Sequence, residues 1–389
     1  MGEIKRLLSG NIRKFGMIIA LFSIIVLFQL LTDGILLRPL NVTNIIMQNS
    51  YIIILAIGMM LVIITGEIDL SVGSVAAFVG AVSGILLVTY DIPVYAAIIL
   101  CLVLGAIIGA WQGFWVAYVN IPSFIVTLAG MLIFRGLTLI ALDGRTLAPF
   151  PEEFRSLSSA FVPDIFGDGE LQLLSILIGV VFSIFLVLNE LRARRTDIKF
   201  NFETLSLPMF IAKLAAMVIV INVFAYVLAL YEGIPYVLIV LTLIVIGYTF
   251  LMNKTTFGRH IYAVGGNAKA AQLSGIKTKK SKFLVFVNMG VLAALAGLIF
   301  AGRLNAATPQ AGNLFELDAI AAAVIGGASF TGGVGTVMGA VIGALVMGVL
   351  NNGMSLMGIG IDWQQGIKGL VLLGAVAFDV LIKINKRSI

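Results

Sequence analysis

The sequence predicts an all-α, polytopic integral membrane protein with about 10–12 transmembrane helices, some of them Gly-rich and broken or re-entrant. Three observations carry this. Apolar residues make up 60% of the 389-residue chain and charged residues 11%, against roughly 45–50% and about 25% in soluble domains. The mean hydropathy is +1.11. The charges gather at the ends of long apolar runs instead of being spread through them, so the net charge of +6 sets membrane topology and does not point to nucleic acid. No soluble domain interrupts the runs, and residues 1–389 are expected to form a single transmembrane domain. The mixed-charge stretch from Arg192 to Glu203 is the nearest thing to an insertion boundary.

Runs close to the roughly 20 residues needed to cross a bilayer fall at 15–31, 45–65, 71–90, 93–119, 124–141, 171–190, 208–230, 235–252, 283–301, 316–330, 333–350 and 364–382. The first follows Lys5, Arg6, Arg13 and Lys14, the charge order of a signal peptide, but no small-residue cleavage site comes after it. It is read as a retained span. The runs starting at Glu316 and Gly333 are short and Gly-rich, so this pair is expected to be broken or re-entrant. With an inner N-terminus, parity places Arg192, Arg194, Arg195 and Lys199, the loop 253–282, and Lys383, Lys386 and Arg387 all inside. The connection 142–170 carries Asp143, Glu152, Glu153, Asp164, Asp168 and Glu170 against only Arg145 and Arg155, as befits the outer side. Prolines at 149, 151 and 163 make it an irregular loop.

The loop 253–282 is the most polar part of the chain. Lys254, Arg259, Lys269, Lys277, Lys279, Lys280 and Lys282 meet no Asp or Glu there, which assigns it to the cytoplasm. It holds a short helix: Asn267 suits an N-cap, Ala270 and Ala271 are good helix formers, and Gly275 suits the left-handed stop. Two turns are not stable alone. The helix must lie against its own domain or a partner, and a partner is expected.

Inside the membrane, charge is costly and therefore informative. Between Ile52 and Val88 the only charges are Glu67 and Asp69, and an ionised carboxylate at depth costs on the order of 2.5–3.5 kcal/mol on insertion scales. Two readings stand: the acids belong to a pathway or to a helix break facing it, or Asp69 or Ser71 caps the next helix. Arg135, alone in its run, either touches a solute or pairs with an acid on a neighbouring helix. Asn305, Thr308, Gln310 and Asn313, with Asn351 and Asn352, are polar groups of the kind a neutral solute path needs, and equally ordinary loop and cap residues.

No catalytic set assembles. His260 is the sole histidine and Cys101 the sole cysteine, which excludes an internal disulfide, a cysteine-based metal cluster and any site with repeated His ligands. Gly265-Gly266-Asn267 lacks the Lys-Ser/Thr of a phosphate loop, and no such loop occurs elsewhere, so nucleotide hydrolysis by this chain is not expected.

Three separated stretches carry a resemblance. Gly66-Glu67-Ile68-Asp69-Leu70-Ser71-Val72-Gly73-Ser74, the run from Gly258-Arg259 through Tyr262-Ala263-Val264-Gly265-Gly266-Asn267 to Ser274-Gly275-Ile276, and Ala323-Val324-Ile325-Gly326-Gly327-Ala328-Ser329-Phe330 with Gly332-Gly333-Val334-Gly335-Thr336 together resemble the permease subunits of ATP-binding-cassette importers for monosaccharides. The resemblance spans essentially the whole chain. The added apolar segments around 171–230 look most like the xylose-type or multiple-sugar branch. It implies import of a monosaccharide, a pentose such as xylose, across a bacterial cytoplasmic membrane by two copies of the permease, with both termini inside. A separate cytoplasmic ATPase carries ATP and Mg²⁺, an extracytoplasmic binding protein delivers the sugar, and this chain holds no cofactor. It also implies a coupling segment for the ATPase: Lys269-Ala270-Ala271-Gln272-Leu273-Ser274-Gly275 looks like the family's Glu-Ala-Ala-x-x-x-Gly pattern, with Lys269 in place of Glu. Asn267, Lys269, Ala270, Ala271, Leu273 and Gly275 are the coupling candidates. Pathway or helix-break candidates are Glu67, Asp69, Ser71, Arg135, Asn305, Gln310 and Asn313.

Two other classes stay open on the residues alone. An ion- or proton-coupled secondary transporter would use Glu67, Asp69 and Arg135 as relays. An intramembrane enzyme would need a nucleophile or metal set that the sequence does not supply.

Overall fold

The computed structural model describes residues 12–387 except 168–170 and 203, and the side chains of 12–15 and 378–387 also lie outside the description. Lys5, Arg6, Asp168, Glu170 and Glu203 of the charge reading therefore fall outside the described residues, as do the side chains of Arg13, Lys14, Lys383, Lys386 and Arg387. In chain order the helices are α1 (Ile12–Leu31), α2 (Pro39–Ile64), α3 (Val72–Gly84, running into a π turn at Ile85–Thr89), α4 (Val94–Ala117), α5 (Ser123–Leu142), α6 (Glu152–Ser159), α7 (Leu173–Lys199), α8 (Leu207–Ala229), α9 (Tyr236–Lys254), α10 (Thr256–Gly266), α11 (Ala268–Leu273), α12 (Thr278–Leu304), α13 (Phe315–Ile325), α14 (Val337–Leu356) and α15 (Ile361–Arg387). No strand forms among the described residues. Nine of these helices, α2 to α5, α7 to α9, α12 and α14, are long and apolar enough to cross a membrane. The chain is an all-α polytopic membrane protein.

Two expectations need correction. Only one of the two Gly-rich runs is short. α13 has 11 residues, about 16 Å of helix against a hydrocarbon core of roughly 30 Å, whereas α14 reaches 20 residues because Thr336, rather than a glycine, starts it: its Oγ1 accepts from the Gly339 N–H at 3.1 Å. The loop 253–282 also holds a second helix, α10. Its signal was present in Phe257, Ile261 and Val264, spaced four and three apart, of which Ile261 and Val264 are buried.

Contacts divide the chain into two compact units: Met1–Leu36, Ile45–Ser159 and Val237–Ile389 form the first, and Leu37–Asn44 with Ala160–Tyr236 the second. In the first, the 52–64 part of α2 is apolar all round and deeply buried; Ile54, Leu55, Ala56 and Ile57 are fully enclosed. α12 packs along α4 and α3, and α13 lies against α14 and α15. Lipid tails are as apolar as leucine, so close packing of small residues holds such helices together. The α4–α12 seam shows how: a Cβ on Gly290 would overlap the Gly105 carbonyl, and one on Gly109 the Phe286 carbonyl. In the second unit, α7 and α8 form a hairpin joined by the ion pair Lys213–Glu190 (2.7 Å) and by Asn222 Nδ2 donating to Ser183 Oγ at 2.8 Å. The two ends of this unit meet where Val162 N–H donates to the Ile234 carbonyl (2.9 Å) and Tyr236 N–H to that of Ala160 (3.0 Å).

Candidate functional site

The second and third of the stretches singled out in the sequence meet in space, against the end of α2 just before the first. α10 starts at the Thr255 cap, whose Oγ1 accepts from the Gly258 N–H at 3.3 Å. It ends where Asn267 turns extended (φ −160°). The same Asn267 caps α11, its Oδ1 accepting from the Ala270 N–H at 2.9 Å. Gly275, at φ +85°, then turns the chain into α12. α10 is fixed through its backbone: Gly265 presses so closely on the end of α2 that a Cβ would overlap the Ile64 carbonyl oxygen. That oxygen accepts from the Gly333 N–H at 2.9 Å, and Tyr262 Oη donates to the Gly335 carbonyl at 2.8 Å. The end of α2, α10 and the turn between α13 and α14 are thus joined by close backbone contacts at Gly265 and Gly333 and by the Tyr262 side chain.

α11 hangs from this junction. Ala271 is buried against its own chain, while Lys269 and Ala270 are exposed and Leu273 is 83% exposed. A leucine so free on a two-turn helix is an unused apolar contact.

The stretch after α2 is tied down by polar groups. Glu67 pairs with Lys282 at the start of α12. The Ile68 N–H donates to Ser123 Oγ at 3.1 Å. Asp69, 2% exposed, accepts from the Ser71 N–H (2.8 Å) and Ser71 Oγ (2.6 Å) through one oxygen. Gln112 Nε2 on α4 donates to Ser71 Oγ at 2.7 Å. Burial pushes the Asp69 carboxyl up to about 6, and the two Ser71 bonds pull against that. Asp69→Asn keeps the oxygen that both bonds use and is expected to melt close to wild type, whereas Asp69→Ala strands two buried donors at a cost of about 1–3 kcal/mol. Equal melting temperatures for the two variants in detergent would contradict this account.

Of the remaining sequence candidates, Arg135 shares with Asp69 an electrostatic contact to Glu316. Arg135 on α5 donates through Nη1 to the Ala311 carbonyl at 2.7 Å, and its charge also acts on Glu316 of α13, an acid on a neighbouring helix. Asn305 caps α12 at φ +55° and accepts from the Phe150 N–H at 2.9 Å. Gln310 and Asn313 are exposed. Sequence reading passed over Glu316 and Asp318 in the first turn of α13, although they are acids at the head of an apolar run like Glu67 and Asp69. Both are buried. Asp318 pairs with Lys368 of α15 at 3.1 Å and is hydrogen-bonded to Tyr51, whose ring stacks on Phe315 at 3.9 Å. Glu316 Oε2 lies over Gly73 without a hydrogen-bond partner. Among the described residues no group of three His, Cys, Asp or Glu side chains is placed to hold a metal ion.

The model of one family, described as the permease component of the branched-chain amino acid transport system, matches residues 41–376. The chain belongs to this family. The junction and α13 all lie within the matched region. Curated relatives extend the comparison. The xylose transport system permease protein of Haemophilus influenzae is 43% identical over 374 residues, covering 96% of this chain and 98% of that one. Its Escherichia coli K12 counterpart is 42% identical over 382 residues, covering 98% and 95%. The ribose import permease protein of Bacillus subtilis is 34% identical over 370 residues, covering 95% and 94%. No solved structure matches.

Proposed function

We propose that this permease is the membrane subunit of an ATP-binding-cassette importer that passes a monosaccharide, a pentose such as xylose, into the cytoplasm. The observation that carries this is the near full-length identity of 43% and 42% to two xylose transport system permease proteins. Two copies form the path in a bacterial cytoplasmic membrane with both termini inside, an extracytoplasmic protein delivers the sugar, and a separate ATPase binds ATP and Mg²⁺. α11 is the coupling element. Leu273 and the exposed Lys269 and Ala270 face the ATPase, and Lys269 makes the contact depend on apolar packing rather than on an acid. Motion of the ATPase passes from α11 into α10, and from there through Gly265 and Tyr262 to the end of α2 and the turn between α13 and α14. Interlocked backbones cannot absorb such a displacement in side-chain rotation, so it moves the helices as bodies. Along the path, Glu67, Asp69, Ser71 and Arg135 hold the helix break in shape, while Asn305, Gln310 and Asn313 stand in the connection leading to α13.

The decisive experiment is uptake by the reconstituted complex, stimulated by the binding protein and compared across pentoses and hexoses. ATP-dependent uptake of a pentose is expected. Uptake driven by an ion gradient in vesicles holding this chain alone would overturn the reading in favour of a secondary transporter. The coupling role has its own test. Gly275→Pro is incompatible with φ +85° and removes the N–H that donates to the Gln272 carbonyl at 3.0 Å. Ala271→Glu forces a charge into a buried position. Each is expected to cut sugar moved per ATP hydrolysed by about tenfold, equivalent to about 1.4 kcal/mol of coupling, in protein that still inserts. Unchanged uptake in both variants would refute the role.

A further inference from the structure

A cavity of about 350 Å³ opens between α10 and the first turns of α12, within the roughly 300–1,000 Å³ of small-ligand pockets. Its charge is one-sided. Lys277 and Lys280 line it, no Asp or Glu does, and neither lysine is in an ion pair among the described residues, whereas Lys282 nearby is held by Glu67. Thr256 and His260 of α10 add hydrogen-bonding groups to the lining, while the Ser281 hydroxyl of α12 is already donated to the Lys277 carbonyl at 3.3 Å. This set suits a phosphate: two ammonium groups for charge, and the Thr256 hydroxyl and His260 imidazole for the oxygens.

The lining also has an apolar part, Phe257 and Leu284. Leu284 lies inside the α12 span, two turns from its start at Thr278. α9, which ends at Lys254 just before α10, exposes Leu243, Ile246 and Phe250 along its length. The cavity therefore stands where the α12 span begins, at the level of lipid headgroups. An acidic side chain from a soluble partner would use the lysines and leave Phe257 and Leu284 idle. A diacyl lipid uses both.

We infer that this cavity binds the phosphate headgroup of an anionic phospholipid, with Lys277 and Lys280 as the charge contacts and Phe257 and Leu284 against the start of the acyl region. The test is native mass spectrometry of the purified full chain titrated with phosphatidylglycerol or phosphatidylcholine. Phosphatidylglycerol is expected to bind the wild type selectively. Lys277→Gln/Lys280→Gln should weaken this by about 30-fold, from the loss of two lysine–headgroup attractions. Lys277→Arg/Lys280→Arg should retain it, and so should Lys254→Gln/Lys279→Gln, which removes two cations outside the cavity. The inference is overturned if the outside pair loses as much as the cavity pair, if the cavity pair keeps wild-type affinity, if phosphatidylcholine or millimolar inorganic phosphate competes equally, or if the cytoplasmic ATPase displaces the lipid on assembly.

Discussion

Gly265→Ala is expected to abolish stable assembly of the permease, although it adds a single methyl group. The new Cβ would occupy the position of the Ile64 carbonyl oxygen, and that oxygen is already committed to the Gly333 N–H at 2.9 Å. Because both obstacles are backbone, no rotamer change relieves the overlap. The end of α2 must separate from α10, breaking the bond to Gly333 and loosening Tyr262 from Gly335. Overpacking with this little freedom costs roughly 3 kcal/mol, enough to deplete the folded form of a marginally stable domain. Gly266→Ala is the control, since a Cβ there meets nothing within 4 Å. Monodisperse yield and melting temperature in detergent should collapse for the first variant and stay near wild type for the second. If the two adjacent substitutions behave alike, the backbone junction does not hold α10.

The same residues show how far the sequence could be read. Each of the twelve apolar runs corresponds to a helix, because spanning a bilayer imposes a length and composition that hydropathy reports directly. The stop at Gly275 and the cap at Asn267 were also visible, since both depend on chemistry within a few residues. α10 was hidden by its context: Thr256–Gly266 is polar enough to pass as loop, and its apolar stripe has meaning only once the end of α2 is there to cover it. The glycines of 264–267 and 326–336 stood out as motifs, but nothing local says that Gly265 and Gly333 converge on one carbonyl oxygen, which is a contact across 68 residues of chain. Arg135 was legible only in part: a lone membrane arginine invites the expectation of a carboxylate, and Glu316 is within reach of its charge, but nothing local shows that its hydrogen bond goes to the Ala311 carbonyl.

Replacing Lys368 with methionine should be the second severe lesion, and it should be reversible by a change on another helix. Asp318 is 2% exposed and finds in Lys368, at 3.1 Å, the opposite charge that makes its burial tolerable. Removing the lysine leaves a buried carboxylate with hydrogen bonds to Tyr51 and Asn351 but no opposite charge, and breaking a buried pair in this way costs about 3–5 kcal/mol. Asp318→Asn in the Lys368→Met background removes the stranded charge and keeps an acceptor for Tyr51, so the double variant should recover most of the lost melting temperature. The pair itself adds little net stability over a neutral replacement, since desolvating two charges offsets much of their attraction. Its consequence is one of position: α15 is held to the first turn of α13 at one register along its axis, and sliding by a turn would leave both charges unpaired. A double variant as unstable as Lys368→Met, or a single variant as stable as wild type, would show that Asp318 is held by something other than the lysine.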